Sequence, residues 1–333
     1  MRKLRFGVLG AARIAREKVI PPLLRAERCE VVALASRDGA RAAEVARQFG
    51  IARSHGSYEA LLADPELDAI YNPLPNHLHV PWSTRAAEAG KHVLCEKPIG
   101  LDAAECARLI AVRDRTGVLI QEAFMVRTHP QWLRARELIR TGRVGELKAI
   151  HGHFSYHLTD PTNVRNVAAW GGGGLLDIGC YPITTSRFVT GLEPVRVAAL
   201  LERDPTSGID RLGTALLDYG SVQCCFQYGT QLVPRQTMQF FGTTARLVVE
   251  IPFNAPSDTP CRLTLYEGPG LGDEPAESVT IPVCDQYGIM GDAFAAAVLD
   301  GTPPPVPLED SLANMKVIDA VFRAAASGRW ERP

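Results

Sequence analysis

Through its first 122 residues the chain alternates short apolar runs with amphipathic stretches, and this alternation limits the possible folds more than any other feature. The runs Leu4–Gly10, Val31–Ser36, Ala69–Asn72, His92–Glu96 and Val118–Glu122 have the length and aliphatic content of buried strands. The stretches Ile14–Ala26, Ala40–Phe49, Pro81–Ala89 and Ala103–Thr116 space their apolar residues as helices do. Gly50, Gly90 and Gly117 follow three of those helices, where a left-handed C-cap favours glycine. Strands separated by helices pair in parallel. The pattern therefore predicts a doubly wound α/β sheet, with ligands bound beyond the carboxyl ends of its strands.

The pattern changes near Ala123. At 333 residues the chain is long for one core, and the change divides it into a first domain, 1–123, and a second, 124–333. In the second, a helix at Gln131–Thr141 and a strand at Lys148–Tyr156 precede an irregular loop, the glycine run Gly171–Gly174 and another helix. Strand patterns then recur at Val195–Glu202, Gly213–Tyr219, Val222–Gln227, Met238–Gly242, Arg246–Ile251, Arg262–Tyr266 and Ser278–Pro282, with Gly268–Pro275 as a hairpin loop. Helices at about 289–299 and 308–327 end the chain. This predicts an α+β domain with a large open, mostly antiparallel sheet.

Thirty-six lysines and arginines against 37 acidic residues give a net charge of −1, without the basic excess of a nucleic-acid binder. No apolar run reaches the length of a membrane span or a signal segment. The eight cysteines have neither metal-finger spacing nor a disulfide framework, since Cys224 and Cys225 are adjacent. A cytoplasmic protein with reduced thiols, no metal and a small-molecule ligand is expected.

Between the first strand and first helix, Gly10, Ala12 and Ala15 hold the three positions of a degenerate G-x-G-x-x-G turn, with Arg13 and Ile14 at the helix start. The first glycine permits a tight turn and the last position needs only a small side chain, while alanine in the middle is a departure. An ordinary strand–turn–helix would look similar, but its place at the first βα turn favours a dinucleotide. The second strand ends in Ser36 and Arg37, where an NAD site usually has a carboxylate. A hydroxyl and a planar cation suit a 2′-phosphate instead, with Arg41 and Arg13 adding charge, so NADP is expected ahead of NAD. Solvated surface arginines are the competing reading, and Asp38 stands beside them.

The run His92-Val-Leu-Cys-Glu96-Lys97-Pro98 puts a lysine at the carboxyl end of a buried strand, where a nicotinamide would lie. In the second domain Asp177 and Tyr181 are four apart and share a face if helical. An ammonium beside a phenol stabilises the phenolate and suits the pair to proton transfer, with Asp177 orienting a substrate hydroxyl or the lysine. The glycines ahead of Asp177 would let a ligand approach the backbone. Tyr181 as a half-buried packing residue is the plain alternative.

Together, Gly7-x-x-Gly10 with Ala15, Glu96-Lys97-Pro98, and Gly172 to Asp177 followed by Gly179 and Tyr181 resemble the Gfo/Idh/MocA oxidoreductase family over nearly the whole chain. The Asp-Ile-Gly-Cys-Tyr form is similar to the branch of glucose–fructose oxidoreductase, D-xylose dehydrogenase and dimeric dihydrodiol dehydrogenase. The resemblance implies an α/β Rossmann domain followed by an α+β domain that often dimerises through its sheet. It implies that Lys97 and Tyr181 are the catalytic pair, with Asp177 beside them and all three at the substrate. It implies cofactor contacts from Asn72, Leu74, Asn76 and His79 in one loop, from Glu96, Lys97 and Glu122 at strand ends, and from Arg165 ahead of the glycines. Val164 stands before that arginine, where tryptophan is frequent. Tyr287 matches an aromatic that can close over the substrate.

The implied reaction is reversible hydride transfer between NADP and a sugar or cyclic polyol, as in a D-xylose or glucose 1-dehydrogenase, by a homodimer or higher homo-oligomer. Dihydrodiol dehydrogenase or aldos-2-ulose reductase activity is the alternative. A non-catalytic nucleotide-binding sensor is an alternative of another class, and intact Lys97, Asp177 and Tyr181 argue against it. His151, His153 and His157 share strand parity but lack a nearby carboxylate, so a polar sheet face is expected rather than a metal site. Loops 155–170 and 229–236 are expected to set substrate choice.

Overall fold

The computed structural model describes residues 2–268 and 275–333, so most of the expected hairpin loop Gly268–Pro275 lies outside the described residues. Two compact units divide the chain: Met1–Thr128 with Asp285–Leu312, and His129–Cys284 with Ala313–Pro333. The segment 285–312, expected in the second domain, thus groups with the first unit.

In the first unit β1 (Leu4–Leu9), β2 (Cys29–Ala35), β3 (Arg53–His55), β4 (Ala69–Asn72), β5 (His92–Cys95) and β6 (Ile120–Glu122) form one sheet in the order β3-β2-β1-β4-β5-β6. Its pairs are all parallel. Strand order reverses between β1 and β4, which opens a crevice at the carboxyl ends there. The connecting helices are α1 (Ile20–Arg25), α2 (Gly39–Phe49), α3 (Tyr58–Leu62), α4 (His79–Glu88) and α5 (Ala103–Thr116). Gly50 and Gly117 take the left-handed C-cap, at φ 67° and 71°. The first helix begins at Arg13 and contains a π-turn, Ala15–Val19, ahead of α1. Pro21 and Pro22 lack amide protons, so regular i→i−4 bonding is interrupted there.

The second unit contains α6 (Pro130–Arg140), β7 (Leu147–His157), α7 (Cys180–Thr190) and the strands β8 (Arg196–Arg203), β9 (Asp210–Asp218), β10 (Gln223–Gly229), β11 (Gln231–Gly242), β12 (Ala245–Val249), β13 (Cys261–Glu267) and β14 (Glu277–Ile281). They make an eight-stranded sheet in the order β14-β13-β12-β11-β7-β10-β9-β8. Neighbours are antiparallel except β7 and β10, which run parallel with Ile150, Gly152 and Phe154 opposite Cys224, Phe226 and Tyr228. These positions lie on the core face. His151 and His153 lie on the other, where the His151 ring packs against Phe241 at 4.8 Å, tilted by 54°, and His153 meets Ser155 Oγ at 3.0 Å. Among the described residues no group of three or more His, Cys, Asp or Glu could hold a metal ion, and no helix is long and apolar enough to cross a membrane.

Beyond these lie α8 (Gln286–Asp300), in the first unit, and α9 (Leu308–Ser327), whose first turn belongs to the first unit and the rest to the second. Phe294 of α8 is fully buried with its ring 5.8 Å from that of Phe6, and a Cβ on Gly291 would come within 2.2 Å of Leu23. Those contacts give α8 its place beside β1 and α1. The short β3 and α3 were not expected. β11 starts at Gln231 rather than Met238, so 231–236 is strand and not a loop.

Candidate active site

At the dinucleotide end of the first unit, Gly10 has φ 83° and donates its amide to Ala35 O at 2.8 Å. A Cβ there would lie 3.1 Å from Leu74 and 3.3 Å from the Tyr58 hydroxyl, so both conformation and space require glycine. Ala12 and Ile14 are half-buried beside it, while exposed Arg13 pairs with Glu17 at 2.9 Å. Ser36 Oγ accepts from the Asp38 amide at 3.2 Å. Asp38 caps α2 by accepting from the amides of Ala40 and Arg41 at 2.9 and 3.1 Å, so its carboxylate serves its own helix. Arg41 pairs with Glu44 at 2.6 Å, and exposed Arg37 lies within electrostatic reach of the Tyr58 hydroxyl.

Several residues expected to touch cofactor brace the loops that flank Lys97. Asn72 is fully buried: its amide nitrogen donates to His79 O and Ser83 Oγ, each at 3.1 Å, and its oxygen accepts from Leu74 N at 3.3 Å. Leu74 is buried, and Asn76 opens a short 3₁₀ turn, Asn76–Leu78. The His79 ring lies between Leu74 O and Pro98 O, both at 2.7 Å. Burial pushes its pKa down to about 4, and the neutral ring donates through one nitrogen at a time. Glu96 accepts from the Tyr71 hydroxyl at 2.7 Å and from the Lys97 amide at 3.3 Å. Lys97 is half-buried and joins Pro98 by a cis peptide. One residue on, Ile99 N donates to Glu122 Oε1 at 2.8 Å. Glu122 is 1% exposed, and burial pushes its carboxyl up to about 7. Tyr287, in the first turn of α8, is half-buried within electrostatic reach of Glu96 and Tyr71, so it belongs to the same unit as Lys97.

In the second unit the glycine run packs closely against other parts of the protein. A Cβ on Gly172 would meet the Arg165 and Val167 carbonyls at 2.6 and 2.8 Å. One on Gly173, at φ 130°, would stand 2.1 Å from Asp210 Oδ1. Cβ atoms on Gly174, Gly179 and Gly213 would press on the Tyr228 ring at 2.5, 2.9 and 2.3 Å. The glycines make room for protein groups. Asp210, 2% exposed, accepts from both Leu175 N and the Tyr228 hydroxyl at 2.6 Å. It thereby caps the π-turn Leu175–Gly179 that leads into α7. Burial raises the Asp210 pKa, opposed by those two bonds.

That turn carries Asp177, whose Oδ2 accepts from the Tyr156 hydroxyl at 2.6 Å and from Arg165 Nε at 2.9 Å. Burial, then the Asp177 charge, raises the Tyr156 pKa and keeps its proton in place. Tyr181 is 5% exposed, its ring 5.6 Å from that of Phe154 and 5.2 Å from that of Phe253, and it lies within electrostatic reach of Arg165. Arg165, Asp177 and Tyr181 are thus brought together within one unit. Tyr156, Asp210, Tyr228 and Tyr58 were not singled out from sequence. Tyr156 reads as the last residue of an ordinary strand, Tyr228 falls just past the predicted strand Val222–Gln227, and Asp210 falls before the predicted strand start at Gly213.

A model of the GFO_IDH_MocA oxidoreductase family, with NAD-binding Rossmann fold, matches residues 4–124, and one of the GFO/IDH/MocA C-terminal domain matches residues 132–248. The chain is 50% identical over 329 residues to the uncharacterized oxidoreductase ORF334 of Rhizobium meliloti, covering 98% of each. It is 38% identical to the D-xylose 1-dehydrogenase (NADP(+)) 2 of Haloferax volcanii, covering 97% of this chain and 98% of that one. KijD10, a 3-ketoreductase from Actinomadura kijaniata crystallised with NADP and TDP-benzene, superposes with a TM-score of 0.90 at 34% identity, over 97% of this chain and 98% of that one.

Proposed function

Because the chain belongs to the Gfo/Idh/MocA oxidoreductase family, we propose that it transfers a hydride between NADP and a hydroxyl- or carbonyl-bearing carbon of a sugar or cyclic polyol, as a D-xylose or glucose 1-dehydrogenase does. The first unit fits the coenzyme. The side-chain-free turn at Gly10 and the helix start at Arg13 suit a pyrophosphate, and Ser36 with Arg37 suits a 2′-phosphate while Asp38 is held by its own helix. The Haloferax relative, named for NADP, supports the same coenzyme. When bound, NADP supplies the hydride acceptor or donor.

Tyr181 takes the substrate hydroxyl proton, the Lys97 ammonium stabilises the phenolate, and Asp177, held by Tyr156 and Arg165, orients the sugar. The observation that carries this reading is the bracing of Lys97. Glu96 holds its amide, His79 meets the next carbonyl, and Glu122 holds the amide after that. A lysine that served only solubility would need no such support from buried groups. Nicotinamide absorbance with NADP and a panel of D-xylose, D-glucose and cyclic diols tests it. Turnover that survives Tyr181→Phe rejects the assignment.

A second reading, reduction of a keto-sugar by NADPH, is favoured by the likeness to KijD10. Consumption of NADPH with aldos-2-uloses and other keto-sugars separates it from sugar oxidation, and coenzyme binding without turnover on any of these would favour a sensor. We place the protein in the cytoplasm as a homo-oligomer, assembled through the sheet face where Leu200 is 78% and Leu216 46% exposed. Light scattering on wild type and a Leu200→Asp variant tests that assembly.

A further inference from the structure

Tyr71 stands fully buried in β4, opposite Val8 of β1 and Leu94 of β5. An apolar side chain would fill that place, and a buried hydroxyl there needs a partner. The partner is Glu96, the residue after β5. Its Oε1 accepts from the Tyr71 hydroxyl at 2.7 Å, and its Oε2 accepts from the Lys97 amide at 3.3 Å. The Glu96 main chain is fixed as well, since its amide donates to Asn72 O at 3.0 Å. Tyr71 and Asn72 are successive strand residues and face opposite sides of the sheet. Asn72 donates to His79 O at 3.1 Å on one side, and the His79 ring meets Pro98 O at 2.7 Å. Tyr71 braces Glu96 from the other side. Two neighbouring side chains at the end of β4 thus hold the chain just before and just after Lys97.

We propose that Tyr71 is a positioning residue for Lys97: its hydroxyl fixes the Glu96 carboxylate, and that carboxylate holds the Lys97 amide and with it the setting of the lysine side chain. This rests on the reading of Lys97 as catalytic. The last torsion of a glutamate is broad, so an unanchored carboxylate turns freely. One donor on each oxygen removes that freedom, and a hydrogen bond from a phenol to a carboxylate is short and strong. A phenol also brings no second cation beside the ammonium, which a like charge would push toward its neutral form.

Nuclear magnetic resonance of the full chain, isotopically labelled at lysine Cε, tests this without substrate. The chain has six lysines, and Lys97→Arg assigns the Lys97 signal by its loss. Tyr71→Phe keeps the ring and removes only the hydroxyl, Glu96→Gln loosens the other end of the link, and thermal melting checks that each variant is folded. In both, the Lys97 signal is expected to move. That of Lys91, held just ahead of β5 by the Asp64 and Leu67 carbonyls at 2.9 and 2.8 Å, should stay in place. On any sugar of the panel above that is turned over, Tyr71→Phe should lower kcat about tenfold, with KM and coenzyme affinity within about twofold. A Lys97 signal unmoved in Tyr71→Phe overturns the proposal, as does equal movement at Lys91, which would mark general loosening. So does an unchanged kcat in Tyr71→Phe where Lys97→Met is impaired. Should Lys97→Met turn over as fast as wild type, the catalytic reading of Lys97 fails, and the signals still show whether Tyr71 sets its place.

Discussion

Tyr228 donates a hydrogen bond from its hydroxyl to Asp210 at 2.6 Å, and this bond accounts for much of the glycine motif ahead of Tyr181. The ring needs the bare backbone of Gly174, Gly179 and Gly213, and the carboxylate it holds fills the space beside Gly173 while capping Leu175. Gly174 of the glycine run, with Gly179 and Gly213, is the seat of a tyrosine. The turn bearing Asp177 is thereby fixed from the sheet below it.

Tyr228→Phe leaves the buried Asp210 with one donor fewer and should cost about 1–3 kcal/mol, read as a lower denaturant midpoint at unchanged m-value. Gly213→Ala should cost more, because its Cβ would stand 2.3 Å from a ring that has no room to move. A Tyr228→Phe midpoint equal to wild type would show that the bond contributes nothing to stability.

Tyr181→Phe removes an oxygen and leaves the ring packed on Phe154 and Phe253. Melting temperature and coenzyme affinity should hardly move, while kcat falls by about 10²–10⁴. Lys97→Met should lower kcat to a similar degree. A loss confined to KM in either variant would assign these groups to binding instead.

Tyr156→Phe takes one of two donors from Asp177 Oδ2 and leaves Arg165. A carboxylate freed on one side orients a sugar less well, so kcat/KM should drop about tenfold with coenzyme affinity kept. An unchanged kcat/KM would remove Asp177 from substrate positioning.

Glu122 gives a pH signature. Its carboxyl is raised from 4.5 to about 7 by burial, so between those values the folded protein keeps a proton that the unfolded chain has released. The stability this contributes is complete below 4.5, declines as pH rises toward 7 and is gone above it. Glu122→Gln keeps an acceptor for Ile99 N and abolishes the titration. Relative to that variant, wild type should lose on the order of 3 kcal/mol between pH 4.5 and 7, with a constant difference above. Denaturant unfolding across that range measures it, and a flat difference throughout would show that Glu122 stays ionised.

The parallel sheet was legible because β1, β2, β4 and β5 are dense apolar runs with helices between them. β3 was not, since Arg-Ser-His is a short polar edge strand, and neither was the first half of β11, where Pro234 interrupts the run and exposed Leu232 and Val233 break the alternation of a half-buried strand. Lys97, Asp177 and Tyr181 could be proposed from sequence because each sits in a compact local motif. Asp210 was not, because its partner Leu175 is 35 residues away and such a contact leaves no periodic trace. The bracing bonds of Asn72, His79 and Glu122 were not legible, because a strand-end position does not reveal which backbone groups a side chain will hold.

Phe294 on α8 covers Phe6 on β1, although nearly the whole second unit lies between them in the chain. A ribosome that has released the first 128 residues has not yet made that helix. The nascent amino-terminal half therefore stays unfinished, with Leu23 and Phe6 open to chaperones, until translation is almost over. Truncation after β6 would reproduce that unfinished state permanently.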